Sequence, residues 1–181
     1  VHLVSAWAEA YMTAHPDADV TVTGGGSGTG IAALLNGTTD VCASSREMKE
    51  EEKATATKNN IELVETTVAS DGLAIVVHPS NPVSELTMAQ IAGIYTGTFT
   101  SWKDVGGGDV PFLLFSRESS SGTFVFFQEH VLNKQDFAPS ARLMPATSAI
   151  VQGVESDKGA IGYVGLGYVA QAGNQIKVVG V

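Results

Sequence analysis

Residues 72–77 read GLAIVV, six consecutive positions without a polar side chain. A half-buried strand would alternate apolar and polar residues, and this run does not. It reads as a strand covered on both faces. PFLLF at 111–115 repeats the signal, after the loop that begins SWKDVGGG. Strands of this kind need a layer on each side, and the segments between them have helical character. The class is therefore α/β.

Along the chain, apolar spacing at Leu3, Ala6, Trp7, Ala10 and Tyr11 predicts a helix over 3–14. ADVTVTG (18–24) alternates and ends in glycines, so it reads as a strand running into a loop. TGIAALLNG (29–37) reads as a short helix closed by Asn36-Gly37. TTDVCASS (38–45) reads as a strand, or a strand and turn, and REMKEEEKATATKNN (46–60) as a solvated helix. Residues 61–83 hold two strand-like pieces. SELTMAQIAGIYTG (84–97) is a helix with Ser84 at its cap and Gly97 at its end, and 120–133 is another. GAIGYVGLGYV (159–169) and IKVVGV (176–181) read as strands. HPSNPV (78–83) is a proline-rich junction where the chain could cross between lobes, giving one lobe over 1–77 and a second over 78–181. The chain opens inside an apparent helix with no cap before it and stops at a strand. It therefore reads as part of a longer protein.

The net charge of −9 argues against nucleic acid or an anionic membrane as the main partner. It does not exclude a small anion, because a buried site answers to local dipoles. The single cysteine, Cys42, excludes an intramolecular disulfide and a cysteine-rich zinc site. His2, His15, His78 and His130 are scattered, with no metal-ligand spacing.

Two loops carry the chemistry. GGGSGTG (24–30) and RESSSGT (117–123) each follow a predicted strand and lead into a predicted helix. The first turn of a helix has unpaired N–H groups and a partial positive charge, and small residues let an anion approach them. Ser27, Thr29, Ser121 and Thr123 offer hydroxyls. Gly28, Gly30 and Gly122 offer amides, and Arg117 adds a charged planar fork suited to phosphate-like oxygens. Rival motifs fail by spacing: the chain has no Walker loop, no G-x-G-x-x-G and no G-x-S-x-G.

Four stretches then carry a resemblance: WAEAYMTAHPDADVTVTGGGSGTGIAALLNGTTDVCASSREM, IAGIYTGTFTSWKDVGG, SRESSSGTFVFFQEHVL and GAIGYVGLGYV. Together, and in this order, they resemble the phosphate-binding proteins of bacterial ABC phosphate transporters over nearly the whole chain. The resemblance implies a two-lobed periplasmic-binding-protein-like fold of type II, with lobe one incomplete at both termini. It implies no cofactor, and one phosphate held by Ser27, Gly28, Ser45, Arg117, Ser121, Gly122 and Thr123. Some members have an aspartate where this chain has Ser45, and that carboxylate accepts the phosphate proton. Asp40 and Asp71 are alternative acceptors, although capping or surface roles suit them better. Glu118 either orients Arg117 or faces solvent.

The implied function is an exported, non-enzymatic receptor at the periplasmic or extracellular face of the membrane. It captures inorganic phosphate and delivers it to an ABC permease. The resemblance leaves room for a lipid anchor on the full-length protein. Ser45 keeps another tetrahedral oxyanion open, sulfate or molybdate. A phosphatase-like enzyme would need a metal cluster or a positioned nucleophile and base, and neither is visible. A ligand-incompetent sensor or scaffold is a third alternative.

Overall fold

In a computed structural model, which describes residues 2–181, GLAIVV becomes strand β1 (Leu73–Val77). Its side chains alternate between two cores. Ile75 and Val77 pack into one, with Ile91, Ile94, Tyr95, Trp102, Phe127 and Tyr163. Ala74 and Val76 pack into the other, with Phe115, Ile150, Val151 and Val154. Both faces are covered, so every position must be apolar, and that is why the sequence shows no alternation. Burying each Val or Ile here is worth about 1.5–3 kcal/mol.

Four more strands complete the sheet: β2 (Leu113–Arg117), β3 (Arg142–Met144), β4 (Ala160–Gly165) and β5 (Lys177–Val179). The order is β3-β2-β4-β1-β5. β1 runs antiparallel to β4, with Leu73 opposite Gly165 and Val77 opposite Ile161, and antiparallel to β5. β2 runs parallel to β3 and to β4. Helix α4 (Met88–Thr96) supplies Ile91, Ile94 and Tyr95 to the first core. Helix α6 (Thr147–Ser156) supplies Ile150, Val151 and Val154 to the second.

The chain divides into two compact units. The smaller comprises 1–64 and 120–122, and the larger 65–119 and 123–181. β1, expected at the end of lobe one, therefore lies inside the larger unit. Residues 78–83, expected as a crossing, form a tight turn within that unit. Asn81 is buried there; its N–H donates to the His78 carbonyl and its Oδ1 accepts from Val83.

The smaller unit holds helices α1 (His2–Ala14), α2 (Ser27–Leu35) and α3 (Glu50–Lys58). Ile31, Leu35 and Ala56 form its core, with Cys42, Met48, Ile61 and Leu63 against them. α3 is fixed at its start by Glu52. This carboxylate accepts from the Lys49 amide and from Arg46 Nη1 and Nη2 at 2.8 and 2.7 Å. The Arg46 bond, more than the cost of burial, holds the Glu52 carboxyl below its ordinary range.

Segments 18–24 and 38–45, and the first strand-like piece of 61–83, form no strand. A strand requires ladder partners as well as suitable residues. Among the described residues these segments have no backbone ladder, and Val41 and Val64 are more than four-fifths exposed. Other helix boundaries also move. The cap of α4 is Thr87, whose hydroxyl accepts from the Gln90 amide while Gln90 Oε1 accepts from the Thr87 amide. Ser84 lies a turn too early. After β4 the chain enters helix α7 (Leu166–Ala172) where a continuing strand was expected.

Candidate functional site

In the smaller unit the two glycine–serine loops dock on one another. α2 begins at Ser27, and its second residue, Gly28, donates its N–H to the Ser120 carbonyl at 3.0 Å. Gly28 was expected to present that amide to a ligand. Here it joins the loops, because an orphan donor in a first helical turn takes whatever carbonyl is at hand. The approach is close enough to dictate residue type. A methyl carbon at Gly26 would overlap the Ser120 carbonyl oxygen, and one at Gly122 would overlap the Ser27 hydroxyl.

Three serines gather at this junction. The Ser27 and Ser45 hydroxyl oxygens lie 3.3 Å apart, and the Ser45 amide donates to Ser27 Oγ at 3.1 Å. With its oxygen accepting from an amide, the Ser27 hydroxyl keeps its proton for donation. Ser45 is exposed, whereas Ser27 is buried. Ser121 is only 2% exposed, yet its hydroxyl has no hydrogen-bond partner among the described residues. Its oxygen is not among the fully buried unpartnered polar atoms, so it still reaches solvent. Helix α5 (Gly122–His130) starts directly after it.

In the larger unit, Arg117 ends β2 and is held at both ends of its length. Its backbone N–H donates to the Tyr163 hydroxyl at 3.3 Å. The Tyr163 hydroxyl lies 2.7 Å from Ser116 Oγ, and Ser116 Oγ donates to the Arg117 carbonyl. Proton count fixes the direction. Ser116 gives its proton to the carbonyl, so Tyr163 gives its own to Ser116. Burial raises the Tyr163 pKa, and the bond to Ser116 moderates the rise.

The guanidinium makes three bonds: Nε to the Met144 carbonyl, Nη1 to Thr147 Oγ1 at 3.0 Å, and Nη2 to the Pro145 carbonyl. All three acceptors are neutral, and among the described residues no carboxylate pairs with it. Glu118 is exposed and does not orient Arg117; Thr147 and two carbonyls do. Thr147, Met144 and Tyr163 were not singled out from sequence, since their roles depend on β3, α6 and β4 lying beside β2. Thr123 is half-buried. Asp40 is exposed, and Asp71 accepts from the next amide, Gly72, at 2.8 Å, a local turn bond.

A groove of about 480 Å³ in the smaller unit is lined by apolar groups including Trp7, Tyr11, Val20 and Val41, and includes none of Ser27, Ser45 or Ser121. Among the described residues, no group of three or more His, Cys, Asp or Glu could hold a metal, and no helix is long and apolar enough to cross a membrane.

Comparison with known proteins gives the family. The model of the PBP superfamily domain matches residues 2–180. The chain belongs to the PBP superfamily. Phosphate-binding protein PstS of Pseudomonas aeruginosa is 37% identical over 180 residues, covering 92% of this chain and 56% of that protein. PstS of Staphylococcus haemolyticus is 36% identical over 174 residues, covering 94% and 54%. The chain thus spans about half the length of the curated relatives it matches. A Clostridium perfringens protein, described as a phosphate ABC transporter substrate-binding protein and solved with bound phosphate, superposes with a TM-score of 0.86 at 35% identity. That match covers 97% of this chain and 69% of the other. An ABC-type phosphate transport receptor of Vibrio cholerae gives 0.75 at 34%, covering 98% and 71%. The likeness to phosphate-transporter binding proteins, carried in sequence by four ordered stretches, is borne out. So is the α/β, PBP-like fold.

Proposed function

We propose that this PBP-superfamily chain is the binding component of a phosphate transport system. It takes up inorganic phosphate outside the cytoplasm and passes it to an ABC permease, without chemistry on the ligand. The observation that carries this reading is Arg117, a full positive charge supported only by neutral acceptors. A guanidinium has five N–H donors, so two remain for an anion. The hydroxyls of Ser27, Ser45, Ser121 and Thr123 and the amide of Gly122 are the proposed neutral donors. The Ser121 hydroxyl, which makes no hydrogen bond among the described residues, supports this assignment. The relatives described as phosphate-binding supply the ligand's identity.

Titration of the ligand-stripped chain with phosphate, then sulfate, tests the reading. Arg117→Ala should weaken phosphate more than Ser121→Ala, because charge-assisted bonds are worth about 1.5–3 kcal/mol and neutral ones about 1. Lys103, exposed and 3.8 Å from Asp109, is the control. Equal losses from Arg117→Ala and Lys103→Ala would refute the assignment. Ser45 is neutral, so discrimination against sulfate does not come from a carboxylate there. Competition at low and high pH separates the two anions, since only phosphate changes its proton count near neutrality.

A further inference from the structure

We infer that Thr147, on a separate segment of the larger unit, is a positioning residue for Arg117 and sets the strength of anion binding without touching the anion. The inference rests on the phosphate-binding reading and adds a residue to it. Thr147 is the first residue of α6 and is buried at 8% exposure, yet its hydroxyl oxygen faces the Arg117 guanidinium and accepts from Nη1 at 3.0 Å. Two residues before it, Pro145 supplies the acceptor for Nη2, and Met144 supplies that for Nε. One short segment, 144–147, therefore engages all three guanidinium nitrogens.

The chemistry of that segment matters as much as its geometry. A carboxylate could hold the fork more tightly, but it would cancel the charge. A hydroxyl and two carbonyls fix the plane while leaving the charge uncompensated. The location reinforces this, because the start of α6 carries the positive end of a helix dipole. The α6 cap residue is Ala146, which has no side chain to accept a bond, so nothing there offsets the positive end. A cation beside that end is unfavourable by itself and becomes favourable once an anion arrives. An arginine otherwise has several rotatable bonds to immobilise on binding, and fixing them beforehand removes that cost.

The test compares Thr147→Val, which keeps shape and removes the hydroxyl, with Thr147→Ser, which keeps the hydroxyl. Two quantities are read in each: phosphate Kd by calorimetry, and relaxation of the Arg117 Nε–H by NMR in the unliganded protein. Thr147→Val should weaken phosphate about tenfold, one charge-assisted bond's worth, and should mobilise the Arg117 side chain. Thr147→Ser should restore both. In an Arg117→Lys background, Thr147→Val should have little further effect, since an ammonium cannot span three acceptors. Equal losses from Val and Ser would assign the effect to packing and overturn the inference. A full loss in the lysine background would overturn it too. Failure of the unaltered chain to bind phosphate would sink the functional reading instead. The NMR comparison would then decide positioning alone, and a rigid Arg117 in Thr147→Val would refute it.

Discussion

Gly122→Ala places one methyl group where the two serine loops meet. Its carbon would overlap Ser27 Oγ outright, stand 2.5 Å from Ser45 Oγ and touch Ser27 Cβ at 3.0 Å. Two effects oppose each other. Gly122 opens α5, and its φ is not positive, so alanine fits the backbone and gains up to about 1 kcal/mol of helix propensity. Overpacking a closed site costs about 1–3 kcal/mol. The steric term wins, leaving a net loss of about 1–2 kcal/mol, and the damage should fall on the smaller unit. Amide exchange reads this directly: protection in α2 should drop by roughly one order of magnitude, while β1 and β4 keep theirs. Adding Ser27→Ala removes the worst overlap and should recover part of the loss. Unchanged exchange in α2, or a double variant no better than Gly122→Ala, would refute the steric argument.

Further expectations concern supports around the site. Tyr163→Phe removes the hydroxyl that joins Ser116 to the Arg117 amide. It should cost about 1–2 kcal/mol in chemical unfolding and weaken phosphate less than Arg117→Ala does. Burial raises the Tyr95 and Tyr163 phenols above the ordinary tyrosine range. A raised folded-state pKa gives stability that is intact below the unfolded value, about 10, and fades as pH rises through the folded one. Ultraviolet titration should therefore show these two tyrosines ionising last, with unfolding. Glu52 has the opposite sign. Its pKa is lowered, so its stabilisation is present above the unfolded value and fades as pH falls through the folded one. The stability gap between the native chain and Glu52→Gln should shrink on acidification below about pH 4. Thr87→Ala should cost about 1 kcal/mol by deleting the cap of α4.

The larger unit was legible where burial was two-sided. GLAIVV and PFLLF had no alternative to a covered sheet, and β1 and β2 formed there. The lobe boundary expected at 77, drawn because Pro79 and Pro82 were read as a crossing, differs from the compact-unit boundary at 64. Such residues mark a turn, and a turn inside a unit looks the same in sequence as one between units. In the smaller unit the alternation of TVT and DVC was real, but alternation specifies a face and not a partner. The loops suggested anion chemistry because two such glycine–serine stretches, one beside an arginine, each precede a helix. Their mutual contact was not, since the bond from Gly28 to Ser120 joins segments with no local pattern in common. Thr147 was invisible for the same reason.

That bond also has a consequence for the order of events during synthesis. The smaller unit is discontinuous, because residues 120–122 belong to it. A chain made from the amino terminus cannot give Gly28 its acceptor until Ser120 has emerged, long after α2. Closing so wide a loop is entropically costly but only weakly length-dependent. The glycine–serine loops of the smaller unit should therefore mature late in folding. Until then, the nascent α2 would expose the glycines and serines of its first turn to whatever surrounds the ribosome.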